Sequence, residues 1–95
     1  MAKVDQGADY LSAGIQFVKK GELKDALKSF EKGEHWQEAG KVAQRLKKTS
    51  KAIDLFLRAG LFSDVAIVYL ETEQFLKAAD YFEAITKRNS LVLED

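Results

Sequence analysis

The side chains that could do acid–base or metal chemistry lie close together in the sequence. His35, the single histidine, lies between Glu34 and Glu38, and Glu31 lies one turn earlier. A catalytic base needs a nucleophile or a substrate pocket nearby, and the sequence supplies neither around His35. Carboxylates three or four residues apart can share a cation, but loops that bind hard cations are richer in Asp, Asn and Gly. We therefore interpret these side chains as exposed residues near a helix end.

The composition excludes most other chemistry. None of the 95 residues is Cys, so disulfides, thiolate zinc sites and thiol nucleophiles are excluded. The glycines are too scattered to form a phosphate-binding loop. Basic and acidic residues balance at 15 each, so no net charge attracts nucleic acid or acidic membrane. We expect one globular domain, residues 1–95, that is not an enzyme and has no catalytic residues, no metal and no cofactor.

One basic segment could nevertheless contact phosphate groups. It begins at Lys41 and ends at Lys51 and contains no acidic residue. Contacts of this kind give sequence-independent nucleic-acid binding. Few aromatic residues accompany these cations, and the residues that follow are mainly acidic, so we expect no nucleic-acid partner. A nucleic-acid-associated helical module is kept as the alternative function.

No apolar segment has the length of a membrane span. The longest strongly apolar run begins at Val65 and ends at Leu70, whereas a span needs roughly 20 apolar residues in succession. The first residues lead into no apolar signal sequence. We therefore expect no membrane insertion and a location in the cytoplasm or another soluble intracellular compartment.

The sequence repeats at a constant offset of 26. An alignment of the chain with itself at this offset needs no gap and gives three units, residues 7–32, 33–58 and 59–84, which leave residues 85–95 over. Within each unit the apolar residues recur at steps of three and four, which predicts two short helices. The matching columns are Tyr10, Trp36 and Phe62; Ala13, Ala39 and Val65; Gly14, Gly40 and Ala66; Ala26, Ala52 and Ala78; and Phe30, Phe56 and Phe82.

Interruptions in this spacing predict where the helices end. Breaks at residues 20–22, 47–50 and 72–74 separate the two helices of each unit, and Gly33 and Gly60 lie between units. Helices this short are marginal alone, so they must stack. We expect the columns of small residues to let helices approach closely, and Phe30, Phe56 and Phe82 to fill the space between units. The predicted helices span residues 9–20, 22–32, 35–47, 50–59, 61–71 and 74–86.

This pattern resembles a tetratricopeptide repeat. That family has an aromatic residue and then a small residue three positions before a second aromatic on its first helix, and Ala-x-x-x-Phe on its second. Unit two matches less closely, with Ala43 and Thr49 at aromatic-type places, and the units of this chain are shorter than those of the family. Short hairpins of this kind also resemble the α-solenoid segments of clathrin, coatomer and intraflagellar transport proteins, and the SNAP adaptors. The best matches are Tyr10, Ala13, Gly14, Phe17, Gly21, Leu23, Ala26 and Phe30 in unit one, and Phe62, Val65, Ala66, Tyr69, Phe75, Ala78 and Phe82 in unit three.

The resemblance implies an all-α solenoid of three antiparallel helical hairpins whose first helices line an inner, protein-binding face. Residues 85–95 are predicted to form a short capping helix over unit three. The implied function is a non-catalytic protein–protein interaction module, an adaptor or assembly scaffold. The inner positions that form the candidate protein-binding site are Leu11, Ile15, Val18, Lys41, Gln44, Arg45, Ile67, Leu70 and Glu71.

Three further features of the sequence bear on the partner. Residues 65–70 are apolar on every side of their helix, so they are either buried in the stack or covered by a partner. Residues 1–6 are too short and polar to cover unit one, which makes that end a second candidate docking surface. Unit two is basic and unit three acidic, so their surfaces could pair copies of the chain. We therefore expect a protein partner, with a second copy of this chain as one candidate.

Overall fold

Three-residue linkers divide the chain into α-helices. The computed structural model describes the backbone of residues 6–93 and the side chains of residues 8–88. No strand occurs among the described residues, so the prediction of an all-α chain is confirmed. Over residues 6–93, no helix has both the length and the apolar character needed to cross a membrane. The helices in this range are α1 (Gln6–Lys19), α2 (Leu23–Lys32), α3 (Trp36–Arg45), α4 (Thr49–Arg58), α5 (Phe62–Glu71) and α6 (Phe75–Leu93).

The C-terminal segment differs from its prediction. The predicted bounds of α2 to α5 agree with the structure to within two residues, but α6 runs without a break to Leu93. The prediction of a separate capping helix is therefore wrong over residues 85–93, and residues 94 and 95 lie outside the described range. No Gly or Pro occurs after residue 74 to end the helix. An ion pair of 3.2 Å between Lys87 Nζ and Glu83 Oε1 adds local support to the extension.

The helices recur at half the offset of the sequence repeat. From α2 to α6 they begin at residues 23, 36, 49, 62 and 75, a constant offset of 13. One column of small residues, all buried, recurs at the same offset: Ala26, Ala39, Ala52, Val65 and Ala78. Each unit of the sequence repeat is therefore two copies of a shorter one, a helix and the linker that follows it, called here the helix–linker unit.

Each linker ends one helix and begins the next with the same backbone. In the linker after α2, the His35 N–H donates to the Phe30 carbonyl over 2.8 Å, a bond that spans five residues. The His35 carbonyl then accepts from the Ala39 N–H over 2.9 Å, which is the first bond of α3. The bond from His35 to Phe30, together with a left-handed residue just before His35, forms the Schellman ending of a helix. The same pair of bonds recurs in the other four linkers, at Glu22, Lys48, Leu61 and Gln74.

This ending requires a left-handed residue in the middle of every linker. Gly21 and Gly60 supply it at no steric cost, with φ of 77° and 71°. Glu34, Lys47 and Glu73 adopt the same conformation, with φ of 59°, 63° and 60°. A side chain with a Cβ costs about 1–2 kcal/mol in the left-handed region. The linker geometry is therefore maintained against local strain in three of the five linkers.

Within the pairs α1–α2 and α3–α4 the two helices approach closely because a Phe ring of one helix packs directly on a Gly of the other. The buried ring of Phe30 lies against Gly14, and that of Phe56 lies against Gly40, so closely that a Cβ on either glycine would come within 2.7 Å of the ring. Phe82, the third residue of the same sequence column, differs from Phe30 and Phe56 because it is 40% exposed. The prediction that Phe82 fills a space between units is wrong, since no helix follows α6 in the described part of the chain to cover it.

Replacing a left-handed glycine by alanine and replacing a left-handed lysine by glycine are expected to change the free energy of unfolding in opposite directions. Gly60→Ala should lower the free energy of unfolding by about 1 kcal/mol, because the new Cβ meets open space and only the backbone conformation is penalised. Lys47→Gly should raise it by about 0.5 kcal/mol, the relief of strain less the entropy of glycine. Urea unfolding followed by circular dichroism measures both. Equal signs for the two changes would contradict the assignment of strain.

Adding a methyl group at Gly40 is expected to destabilise the chain by about 1–3 kcal/mol, because the buried Phe56 ring has no room to move. The measurement is the same urea titration on Gly40→Ala. The double variant Gly40→Ala with Phe56→Leu is the control, since a smaller side chain removes the clash. If the double variant loses as much stability as the sum of the two single changes, the close approach does not limit this position.

Candidate functional site

The odd-numbered helices α1, α3 and α5 share one face of the molecule, called here the odd-helix face. Grooves separate α1 from α3 and α3 from α5, and the Gln44 Nε2 of α3 donates across the second groove to Glu71 Oε1 at the end of α5. On α2 and α4, Glu31 and Lys51 form an ion pair of 3.0 Å. The molecule extends only 17 Å in its shortest direction, which accommodates two layers of helices. The two sets of helices therefore form opposite surfaces.

The groove between α1 and α3, called here the α1–α3 groove, has an apolar floor. Ile15 and Val18 contribute from α1, Val42 from α3 and the Phe30 ring from α2 beneath them. Its volume is about 460 Å³, within the usual range for ligand sites. Ile15 is 41% exposed although it is aliphatic. The groove therefore offers apolar area that a ligand can remove from water.

Charged side chains surround this floor and are mostly cationic. Lys19 lies at the end of α1, and Lys41 and Arg45 follow one another at a spacing of four along α3. Glu38 is the one carboxylate that lines the groove. Such a rim attracts a ligand that carries negative charge, and the alkyl stems of the Lys and Arg side chains add to the apolar surface.

The second groove, between α3 and α5, is polar. Gln44, Arg45, Lys47 and Glu71 line a space of about 440 Å³. Arg45 lines both grooves, so the two form a continuous surface across α3. The hydrogen bond between Gln44 and Glu71 already satisfies two of these side chains. The second groove therefore offers mainly polar contacts to a ligand.

The structure brings many of the predicted site residues together. Four of them, Ile15, Val18, Lys41 and Arg45, line the α1–α3 groove, and Gln44 and Glu71 line the second groove with Arg45. Sequence reasoning missed that Glu38, Val42 and Phe30 complete the first groove. Val42 had a signal, because Val68 holds the matching position of the next unit.

The three remaining predicted residues occupy other places. Leu11 is half-buried and packs against the core, so little of it is available to a ligand. Ile67 and Leu70 are 43% and 42% exposed, but they line neither of the two grooves.

The two interpretations of the apolar segment 65–70 each apply to part of it. Val65, Ala66 and Val68 are buried in the core of the molecule. Ile67 and Leu70 are exposed on the same helix and leave apolar area on the outside. The segment is therefore neither wholly buried nor wholly available to a partner.

The basic run from Lys41 to Lys51 is divided between the two surfaces. Lys41 and Arg45 belong to the α1–α3 groove, and Lys47 lies in the second groove. Lys51 lies on α4 and is paired with Glu31 of α2. The run does not form one continuous cationic patch, which weakens the case for a phosphate backbone as its ligand.

His35 serves the backbone of a linker. It is the residue that precedes α3, it is half-buried, and its ring lies close to Gly33. Glu31, one of the carboxylates nearby, is the partner of Lys51. Over the described residues, no three His, Asp or Glu side chains are placed to hold a metal ion together.

The odd-helix face has to be interpreted from its own geometry. Comparisons of the chain with protein-family models, with curated proteins and with solved structures found no significant match. The features that bear on function are the apolar floor of the α1–α3 groove, its cationic rim and the exposed Ile67 and Leu70.

The α1–α3 groove is expected to bind the dye anilinonaphthalene sulfonate, whose rings suit the apolar floor and whose sulfonate suits the cations. Ile15→Glu should lower the dye fluorescence, because the new carboxylate lies in the floor of the groove and repels the sulfonate. Ile67→Glu is the matched control, since Ile67 occupies the same position of its repeat and is equally exposed outside the groove. Equal losses of fluorescence in both variants would show that the dye does not bind in this groove.

Proposed function

We propose that the chain is a non-catalytic protein–protein interaction module, an adaptor or assembly scaffold, that binds its partner on the odd-helix face. The observation that carries the proposal is the α1–α3 groove, with the apolar Ile15 and Val18 on its floor and Lys19, Lys41 and Arg45 on its rim. Apolar area excluded from water supplies affinity, and charges at the edge supply orientation and rate of association.

The helical repeat supports an interaction role. We infer that the pairs α1–α2, α3–α4 and α5–α6 are hairpins of a solenoid similar to tetratricopeptide repeats, within one repeat domain. Each helix packs against the next one along the chain, and the helices recur at a constant offset. Stacked repeats of this kind form extended surfaces suited to binding other chains.

The chemistry of the groove indicates what the partner presents. We expect a segment with one or two large aliphatic or aromatic side chains flanked by Asp or Glu. The apolar side chains would contact Ile15 and Val18, and the carboxylates would pair with Lys41 and Arg45. A groove between two helices suits a short amphipathic helix with anchors on one side. The three cations of the rim repel a basic segment, and among the described residues Glu38 is the one carboxylate in the groove that offsets them.

A random peptide library displayed on phage and selected on the immobilised chain tests this function. We expect the recovered peptides to combine apolar and acidic residues. We expect Ile15→Glu to raise the Kd of a labelled recovered peptide at least about 10-fold. This is the loss of affinity expected when one apolar side chain is no longer buried by the peptide. Fluorescence anisotropy measures the Kd, and circular dichroism shows whether each variant is folded.

Two variants make this result specific. Lys41→Glu with Arg45→Glu should weaken the peptide in a salt-dependent way, because it reverses the rim charge. Leu57→Glu on α4 is the control, since Leu57 is a partly exposed leucine on the opposite surface. Basic peptides, or affinity unchanged by Ile15→Glu, would contradict the proposal. Steeply salt-dependent binding of a labelled oligonucleotide, lost with Lys47→Glu and Lys48→Glu, would favour the nucleic-acid alternative instead.

A further inference from the structure

The last helix exposes an apolar surface that no other part of the described chain covers. Phe75, Leu76, Ala79 and Phe82 are all exposed, and Leu76 is 85% exposed. Phe75, Ala79 and Phe82 lie three or four residues apart and so share one side of α6, and Leu76, three residues before Ala79, lies at the edge of that side. This set is called here the α6 end face. Large apolar side chains clustered at one end of a stack of helices indicate a contact with another molecule.

The repeat shows what covers this side elsewhere in the chain. Phe82 corresponds to Phe30 on α2 and Phe56 on α4, which are both buried. Ala79 corresponds to Leu27, which is buried, and to Ile53, which packs against the core. Phe30 lines the α1–α3 groove together with Val42 of α3, and α3 packs on α2 as α5 packs on α4. The α6 end face is therefore the continuation of an interface that the molecule already uses twice.

Leu76 differs from the rest of the face. The matching residues on α2 and α4 are Lys24 and Ser50, which are polar and exposed. A helix packed as α3 and α5 are packed would leave Leu76 in water. An apolar residue at a position that is otherwise polar indicates that the contact on α6 extends further than the internal contacts do.

Over the described residues, the side of α1 at the other end of the molecule exposes polar groups that do not complement the α6 end face. Val42 on α3 and Val68 on α5 are buried, and the corresponding residue on α1 is Gln16, which is exposed. Ser12, one turn earlier on α1, is exposed as well. A head-to-tail contact would place the apolar α6 end face of one copy on these polar groups. The surface that best matches the α6 end face is the same face of a second copy.

We propose that two copies of the chain associate through their α6 end faces about a two-fold axis that passes near Ala79. Antiparallel α6 helices then place Phe75 and Leu76 of one copy against Phe82 of the other. The small side chain of Ala79 lets the two backbones approach closely at the axis. A two-fold contact closes on itself, so it gives a dimer and leaves the odd-helix face of both copies available.

Light scattering after size-exclusion chromatography, over a series of concentrations, tests the dimer. We expect a mass of twice 10.7 kDa for the natural chain. Leu76→Glu should raise the dimer Kd at least about 100-fold, because the axis places the substitution twice in one interface. Its high exposure means that the change leaves the fold intact, which circular dichroism verifies. Leu70→Glu, a similarly substituted leucine on α5, should keep the mass of a dimer.

Introduced cysteines test the position of the axis, because the chain has none of its own. Ala79→Cys should form a disulfide-linked dimer when diamide removes two electrons and two protons from the pair of thiols. Ser50→Cys, on the surface of α4, should stay monomeric in a denaturing gel under the same treatment. A natural chain that keeps the mass of one copy would overturn the proposal, as would a dimer insensitive to Leu76→Glu or a series of larger assemblies.

The dimer and the proposed protein-binding function can fail separately. Leu76→Glu should leave the affinity for a peptide bound in the α1–α3 groove unchanged, and Ile15→Glu should leave the dimer mass unchanged. If Ile15→Glu dissolved the dimer, the self-association would belong to the groove and not to α6.

Discussion

The linker backbone is the constraint on which the rest of the structure depends. One residue donates the last bond of one helix and accepts the first bond of the next, so the turn has three residues and fixed geometry. The helix starts need no side-chain cap, and none of the residues before α2 to α5 forms one. Because every turn is alike, the chain reverses in the same way after each helix, and extensive contacts within the pairs α1–α2, α3–α4 and α5–α6 alternate with smaller contacts between the pairs. The alignment of the odd-numbered helices into one face follows from that regularity.

The same regularity explains which features were predictable from the sequence. Helices α2 to α5 were predictable because apolar spacing and the Ala26 and Ala52 column both reflect helix contacts that repeat. The helix–linker unit is hidden in the sequence because small and large residues alternate at this spacing, with Gly14 and Gly40 small and Leu27 and Ile53 large, so alternate units match better than adjacent ones. The strained linker residues are hidden as well, since neither Glu nor Lys favours a left-handed backbone.

The site was predictable in part for a similar reason. Ile15 and Val18 were found because they are apolar at positions that line the inner face in the hairpin repeats the chain resembles. Glu38 and Val42 were missed because the side of α3 that meets α1 depends on the angle between two pairs of helices, which local spacing does not report. The apolar Leu91 suggests a new helix in the sequence, but a break in the backbone is what separates two helices, and none occurs between Phe75 and Leu93.

The helix–linker unit has a consequence for how such a chain can change in length. Successive helices alternate between the two layers, so the layer of a helix depends on whether its number in the chain is odd or even. Loss or gain of a single unit would transfer every later helix to the opposite layer and would exchange the odd-helix face for the surface opposite it. Loss or gain of two units preserves the side on which each helix lies. Only a change by an even number of helix–linker units therefore keeps every helix in its layer, which agrees with a sequence periodicity of 26 on a backbone periodicity of 13.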